Sequence, residues 1–310
     1  MNPGTNMSWT FSFWTPGNAP ADLERSFGCA SHGVAAREVW LEPDTNVVTR
    51  WPTPLAGEAL SGSYAGVLAA ICARSVKPAA VIALFARSTG MEAFLAECHT
   101  LLGATPMAGG SAARAASKTH GELRSAASEV ALLLITQGAW RTDSLNLHDA
   151  EPCELEFHSS GLRTIAQLRP KGSDHWRPAA DAFRALQAEY GRPEADCESI
   201  TLCDRQGRNV HCSVADDCLN SGADLPADGW LALRTVTRAE AARRLADFCS
   251  VPGSLVFGCA GLRSLMDAPI DVAPGTLVGF MFGELFTLGG QPQFGNLMAA
   301  RLVPAEDRRE

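Results

Sequence analysis

The chain has 310 residues, 46% of them hydrophobic and 19% charged, with a formal net charge of −8. That length exceeds what one hydrophobic core usually serves and predicts two domains of roughly 150 residues each. A negative balance without any basic cluster excludes nucleic acid or an anionic membrane surface as the expected partner.

The first ten residues carry no basic stretch leading into an apolar one. No segment reaches the roughly 18 unbroken apolar residues of a membrane span. A cytoplasmic protein with no membrane contact is therefore expected, and its ten scattered cysteines are expected to be reduced thiols.

In chain order, residues 8–55 mix short apolar pieces with Pro and Gly turns and read as strands and loops. Within them Phe27-Gly-Cys-Ala-Ser-His-Gly33 is a small-residue turn of the kind that lines sites. Residues 61–74 follow with Tyr64, Val67, Leu68, Ile71 and Cys72 on one helical stripe, which predicts a helix laid on a sheet. Residues 81–86 form a buried strand. Thr89 and Glu92 then make a capping box for a helix with Met91, Phe94, Leu95, Cys98, Leu101 and Leu102 inward and Gly103 at its end. A short strand at 105–108 completes a βαβ unit, and Gly109-Gly-Ser111 is expected as a loop at that strand's C-terminal end, where open α/β sheets place ligands. Residues 129–136 close this half as another buried strand.

From about residue 151 the pattern restarts. Strand candidates at 154–158 and 162–168 lead to a helix over 178–190, with Phe183, Leu186 and Tyr190 on one face. A β-rich stretch runs from 197 to 236, with a turn at 204–207. Thr237 and Glu240 form a second capping box, opening a helix with Ala241, Leu245, Phe248 and Cys249 inward. A strand at 255–259 and the segment 260–266 follow. The most apolar run comes last, residues 277–290, bounded by Pro274-Gly275 and Gly289-Gly290. At about a dozen residues it is expected as one strand buried on both faces. The whole pattern predicts an α/β protein of two α/β halves, residues 1–150 and 151–310, each a mixed β-sheet covered by helices.

Glu284 lies inside that last run, among Phe282, Leu285 and Phe286. A carboxylate in such surroundings is costly to desolvate unless it is paired or neutral, and the flanking Gly283 lets backbone or ligand approach closely. Two readings stand side by side. In one, Glu284 is a strand-end carboxylate paired with a structural arginine or with backbone amides. In the other, it receives a ligand amine or hydroxyl, its charge balanced by Arg263. Pairing with arginine would lower its pKa, and isolation would raise it.

Cys259 ends an apolar strand and precedes Ala260-Gly261, whose amides could lower a thiol pKa and make a nucleophile; a buried, inert cysteine is the plainer alternative. Gly109, Gly110 and Ser111 could cradle an anion through their amides, although the context of a phosphate loop is missing. Metal is not expected, because Cys197, Cys203, His211, Cys212 and Cys218 contain no Cys-x-x-Cys pair and their spacings suit no common zinc module. For haem no Cys-x-x-Cys-His motif exists, which leaves a single axial ligand, with His32 in its Gly-flanked turn the better candidate.

Together these residues carry a family resemblance. The segment Phe257-Gly-Cys-Ala-Gly-Leu-Arg-Ser264, a proline-glycine loop, Val278-Gly-Phe-Met-Phe-Gly-Glu284, the Leu288-Gly-Gly290 turn and Asn296 together resemble the C-terminal half of FIST proteins. The strand at Val81, the helix after it and Pro106 to Gly110 leading into Ser111 are similar to the family's N-terminal half. The resemblance implies a sensory module of intracellular signal transduction that holds a small polar metabolite in a cleft between the halves. Glu284, Arg263, Cys259, Gly109, Gly110, Ser111 and Asn296 would supply the site. It further implies haem in gas-sensing members and, for a chain without an output segment of its own, a separate signalling partner. A cysteine-dependent enzyme with Cys259 as nucleophile and Glu284 as acid or base is the alternative that uses the same pocket.

Overall fold

A computed structural model of the chain describes all residues except 1–6, 15–25, 32–33, 37–38, 42–47, 87–89, 112–117, 120–121, 124–128, 191–199, 267–268 and 306–310. It is a mixed α/β structure in which strand greatly exceeds helix. Among the described residues the strands form sheets of nine, six and eight members and one short hairpin.

Alternation in single strands explains how the layers stack. In Ala80–Phe85, Ile82 and Leu84 turn to one side of the first sheet while Val81, Ala83 and Phe85 turn to the other, and every residue is buried. A period of two places both sets against apolar partners only if both faces are covered. One face meets the second sheet through a cluster of aromatic rings. Phe11 and Phe13 lie with centroids 4.9 Å apart at 81°, and Phe257 of the second sheet stands edge-on to both, at 5.8 and 5.7 Å. This edge-to-face arrangement matches positive ring edges to negative faces. The opposite face is covered by the helices Tyr64–Cys72 and Met91–Leu102. The outer face of the second sheet packs on Arg238–Phe248 and Ala260–Ser264.

Helix ends follow local chemistry. Ser63 caps the first helix by accepting from the Gly66 amide at 3.2 Å, and Thr237 accepts from the Glu240 amide at 3.2 Å. The helix Met91–Leu102 stops at Gly103, where φ is +65°. Its expected cap, Thr89, lies outside the described residues, and Gly90 holds the N-cap position with no side-chain bond. Cys72, expected on the inward stripe, is exposed at the helix end.

The third sheet is antiparallel, is drawn wholly from residues between 149 and 235, and packs on the helix Ala179–Tyr190. The other two sheets mix early and late strands. Val34–Ala36 and Trp140–Asn146 join Leu255–Cys259, Leu277–Met281 and Met298–Pro304 in the second sheet. Conversely, Glu284–Leu288 and Gln291–Gly295 extend the first, otherwise N-terminal, sheet.

The run expected as one strand at 277–290 is therefore two. Leu277–Met281 runs parallel to Leu255–Cys259 in the second sheet, and Glu284–Leu288 pairs with Met107–Ser111 in the first. The physical reason is Gly283, which turns the chain at φ +81°. A Cβ there would lie 2.4 Å from the Phe294 ring, so only glycine fits both the dihedral and the space. Gly109 to Ser111 are likewise not a loop: they lie within the strand Met107–Ser111, between two neighbours. A Cβ on Gly109 would fall 1.8 Å from the Ala83 carbonyl oxygen, so the small residues serve close backbone packing.

Replacing Gly283 with Ala should lower stability by at least about 2 kcal/mol, through strain at a left-handed position and overlap with a buried ring. Urea denaturation checks this; an unshifted midpoint would show that the crossing tolerates a side chain.

Candidate functional site

The hairpin formed by Glu284–Leu288 and Gln291–Gly295 is an excursion: the chain leaves the second sheet at Phe282-Gly283 and returns to it at Asn296-Leu297. Both crossings use left-handed backbone, with Leu297 at φ +55°. For a branched residue this is costly, and the surroundings must hold it there. Asn209 supplies part of that hold. Fully buried, it donates from Nδ2 to the Leu297 carbonyl at 3.2 Å and to Asn146 Oδ1 at 3.0 Å, while Asn146 Nδ2 returns a bond of 2.7 Å to Asn209 Oδ1. This reciprocal asparagine pair ties the third sheet, the second sheet and the returning crossing together. Neither residue stands out in the sequence.

Glu284 sits between the two crossings and is fully buried. Its Oε2 accepts from the Met298 amide at 3.3 Å, and its Oε1 has no hydrogen-bond partner among the described residues. Burial raises its pKa well above the ordinary carboxyl value. The Met298 amide, the Cys259 thiol and the Gly283 amide favour the charged form without offsetting burial. Among the described residues no guanidinium figures among the causes of its shift, so the balancing charge expected from Arg263 is not seen there. Arg263 lies in the short helix Ala260–Ser264 and donates from Nη1 to the Met266 carbonyl at 3.2 Å. Burial thus favours the carboxylic acid form, which is able to donate one hydrogen bond and accept others.

Cys259 ends its strand beside this acid. Burial pushes its thiol up, the nearby Glu284 adds to the rise, and the amides of Leu297, Gly261 and Gly283 pull the other way without prevailing. The resting group is a thiol, and it is 6% exposed. A thiol is a poor nucleophile, so this geometry favours binding over attack.

The remaining candidates are placed as follows. Gly110 pairs directly with Glu284, and Gly109 with Leu285. The Ser111 amide donates to the Gly283 carbonyl at 3.2 Å, so it is spent on the crossing and does not form an anion cradle. Asn296 gives its backbone amide to the Asn209 carbonyl at 3.4 Å, and its side-chain Nδ2 lies against Gly222. The same turn reaches Glu284 and Cys259 through the Met298 and Leu297 amides. His32 and Cys197 lie outside the described residues. Among the described residues no group of three or more His, Cys, Asp or Glu could hold a metal ion, and no helix is long and apolar enough to cross a membrane.

Three clefts are described, and none is lined by Glu284 or Cys259. The surface nearest in sequence is Phe282, 50% exposed at the bend two residues away. No family model matches the chain, and no curated protein is similar to it at a significant level.

Two outcomes follow. Below about pH 4.5 the Glu284 carboxyl is protonated in folded and unfolded chains alike, and its contribution is fully present. As pH rises the unfolded chain loses the proton first, so stability falls by at most about 1.4 kcal/mol per pH unit until the raised folded pKa is passed. Glu284→Gln removes that slope. Urea midpoints of both proteins from pH 4.5 to 8 should diverge, and parallel curves would mean that the carboxyl is ionised in place. Iodoacetamide at neutral pH should alkylate the exposed Cys72 more than about ten-fold faster than Cys259 in the folded protein, as read by peptide mass spectrometry. First and fast labelling of Cys259 would instead reveal a thiolate.

Proposed function

We propose that the protein is a small-ligand-binding sensory module of the FIST type and that it holds a polar metabolite at the seam around Glu284. The reading is carried by one observation: the fully buried Glu284 carboxyl keeps Oε1 without a partner. An unpartnered buried oxygen costs about 1–3 kcal/mol, and a ligand amine or hydroxyl would remove that cost on binding.

Burial favours the neutral acid before binding. An ammonium-bearing ligand would therefore displace the proton and form a charge-assisted pair, whereas a hydroxyl would take the acid as it is. Access requires the Phe282-Gly283 and Asn296-Leu297 crossings to part, which also supplies a route for signalling. A ligand that holds both crossings shut changes how the sheets meet, and a separate partner protein would read that change. The cytoplasm is the expected location.

Native mass spectrometry of the purified protein tests this reading. A retained small molecule is expected on the wild type and absent from Glu284→Gln, with the variant still folded. Adding the released compound back at a hundred times its Kd should stabilise the wild type by about 2.7 kcal/mol. A bare wild-type mass, with no thermal shift from a panel of amines, amino acids and polyols, would refute the proposal.

A further inference from the structure

The margins of the three sheets are guarded unequally. In the first sheet the margin strand Gln291–Gly295 carries Pro292, and Ser26–Ala30 has five residues. In the third the margins are Asn209–Val210 and Cys212–Ala215, two and four residues long. Val39–Leu41, at one margin of the second sheet, has three. Trp140–Asn146, at the other, has seven, with neither proline nor glycine among them. An edge of that length, without a breaker, is a template for another strand.

Its hydrogen-bonding phase is set by its one neighbour. Met298–Pro304 runs antiparallel to it, with Trp140 opposite Pro304, which has no N–H to give. One step beyond, the Ala305 amide donates to the Ala139 carbonyl at 2.8 Å. Antiparallel pairing alternates bonded and non-bonded pairs, so Arg141, Asp143 and Leu145 spend their N–H and C=O groups on the neighbour. Trp140, Thr142 and Ser144 point theirs away from it, and among the described residues no strand pairs with that side.

The side chains add a symmetry. Arg141 and Asp143 share a face, and Arg141 Nη1 bridges both Asp143 oxygens at 3.1 Å. Arg301 Nε also holds Asp143, at 2.8 Å, whereas Arg141 is 52% exposed and keeps Nε and Nη2 unbonded among the described residues. A guard against edge pairing would carry like charges here. Opposite charges on either side of Thr142 instead complement themselves when the strand is turned by half a rotation.

We propose that Trp140–Asn146 is the contact of a symmetric homodimer, pairing antiparallel with the same strand of a second copy about Thr142, so that the second sheet runs on through both chains. Thr142 then lies opposite Thr142 of the second copy, and Trp140 opposite Ser144. Each of these pairs exchanges two backbone hydrogen bonds through the groups that point outward. Arg141 falls opposite Asp143 of the second copy in a non-bonded pair, where side chains are closest. Neither neighbouring register does both: centring on Ser144 sets Asp143 against Leu145, and centring on Trp140 sets Arg141 against Ala139. The dimer does not depend on a ligand at Glu284.

Sedimentation velocity and residue-resolved amide exchange of the full chain, over a range of concentrations, test this. One strand pair buries little surface, so a weak dimer is expected, with a Kd on the order of 10–100 µM. On association the amides of Trp140, Thr142 and Ser144 should exchange more slowly, while those of Arg141 and Asp143, already bonded to Met298–Pro304, stay as they were. Thr142→Pro removes a donor that the chain's own sheet does not use, and Arg141→Asp sets like charges opposite each other. Each should weaken the dimer at least about ten-fold, with a melting curve confirming the fold. If Thr142→Pro fails to fold, Arg141→Asp and the exchange pattern decide. A monomer up to about 1 mM, a dimer that survives either folded variant, or protection without the alternation overturns the proposal.

Discussion

Everything near the middle of this molecule depends on the chain changing sheets twice within sixteen residues of sequence. Leaving the second sheet at Gly283 and returning at Leu297 requires left-handed backbone at both points, one cheap because it is glycine and one dear because it is leucine. The hairpin between them extends the first sheet, so the aromatic core between the sheets and the covering helices are all referenced to these two bends. Glu284 and Cys259 occupy the space that opens where two sheets hand over a strand, and their hydrogen bonds come from the amides of the bends themselves.

Enclosing an acid in this way decides its chemistry. Without a guanidinium to hold the charge, the cheaper state is the protonated one, and the neighbouring thiol is held protonated by the same burial and by its neighbour. A pair of neutral, polar, poorly hydrated groups suits recognition by hydrogen bonding better than covalent catalysis. Reactive thiols and general bases need the opposite: exposure, or a cation nearby.

The third sheet has a separate role. It touches the returning crossing through the Asn209–Asn146 pair and reaches the helix Met91–Leu102 through Arg208, which donates to Glu92. A reciprocal amide pair, Asn209 buried and Asn146 half-buried, satisfies four polar groups at once and so fixes one register between the sheets.

Much of the local structure was legible in the residues. The helices at Tyr64–Cys72, Met91–Leu102, Ala179–Tyr190 and Arg238–Phe248, the strand Ala80–Phe85 and the singular position of Glu284 all follow from periodicity, capping and the cost of a carboxyl in apolar surroundings. Pairing was not legible. A strand buried on both faces reads the same whichever sheet it joins, so Gly283 read as a point of close approach within one strand and not as a break, and Gly109 and Gly110 read as a loop. Arg263 and Glu284 are close enough in sequence to suggest a pair, and only the placement of the short helix turns that arginine to the Met266 carbonyl. Glu92 and Arg208 meet for the same reason that no sequence pattern joins them: contacts between residues so far apart are set by which sheets stack and where the chain crosses. Sequence alone determined which segments must be buried and which residue would be costly there; tertiary structure decided who their neighbours are, because burial is a local demand and pairing a global one.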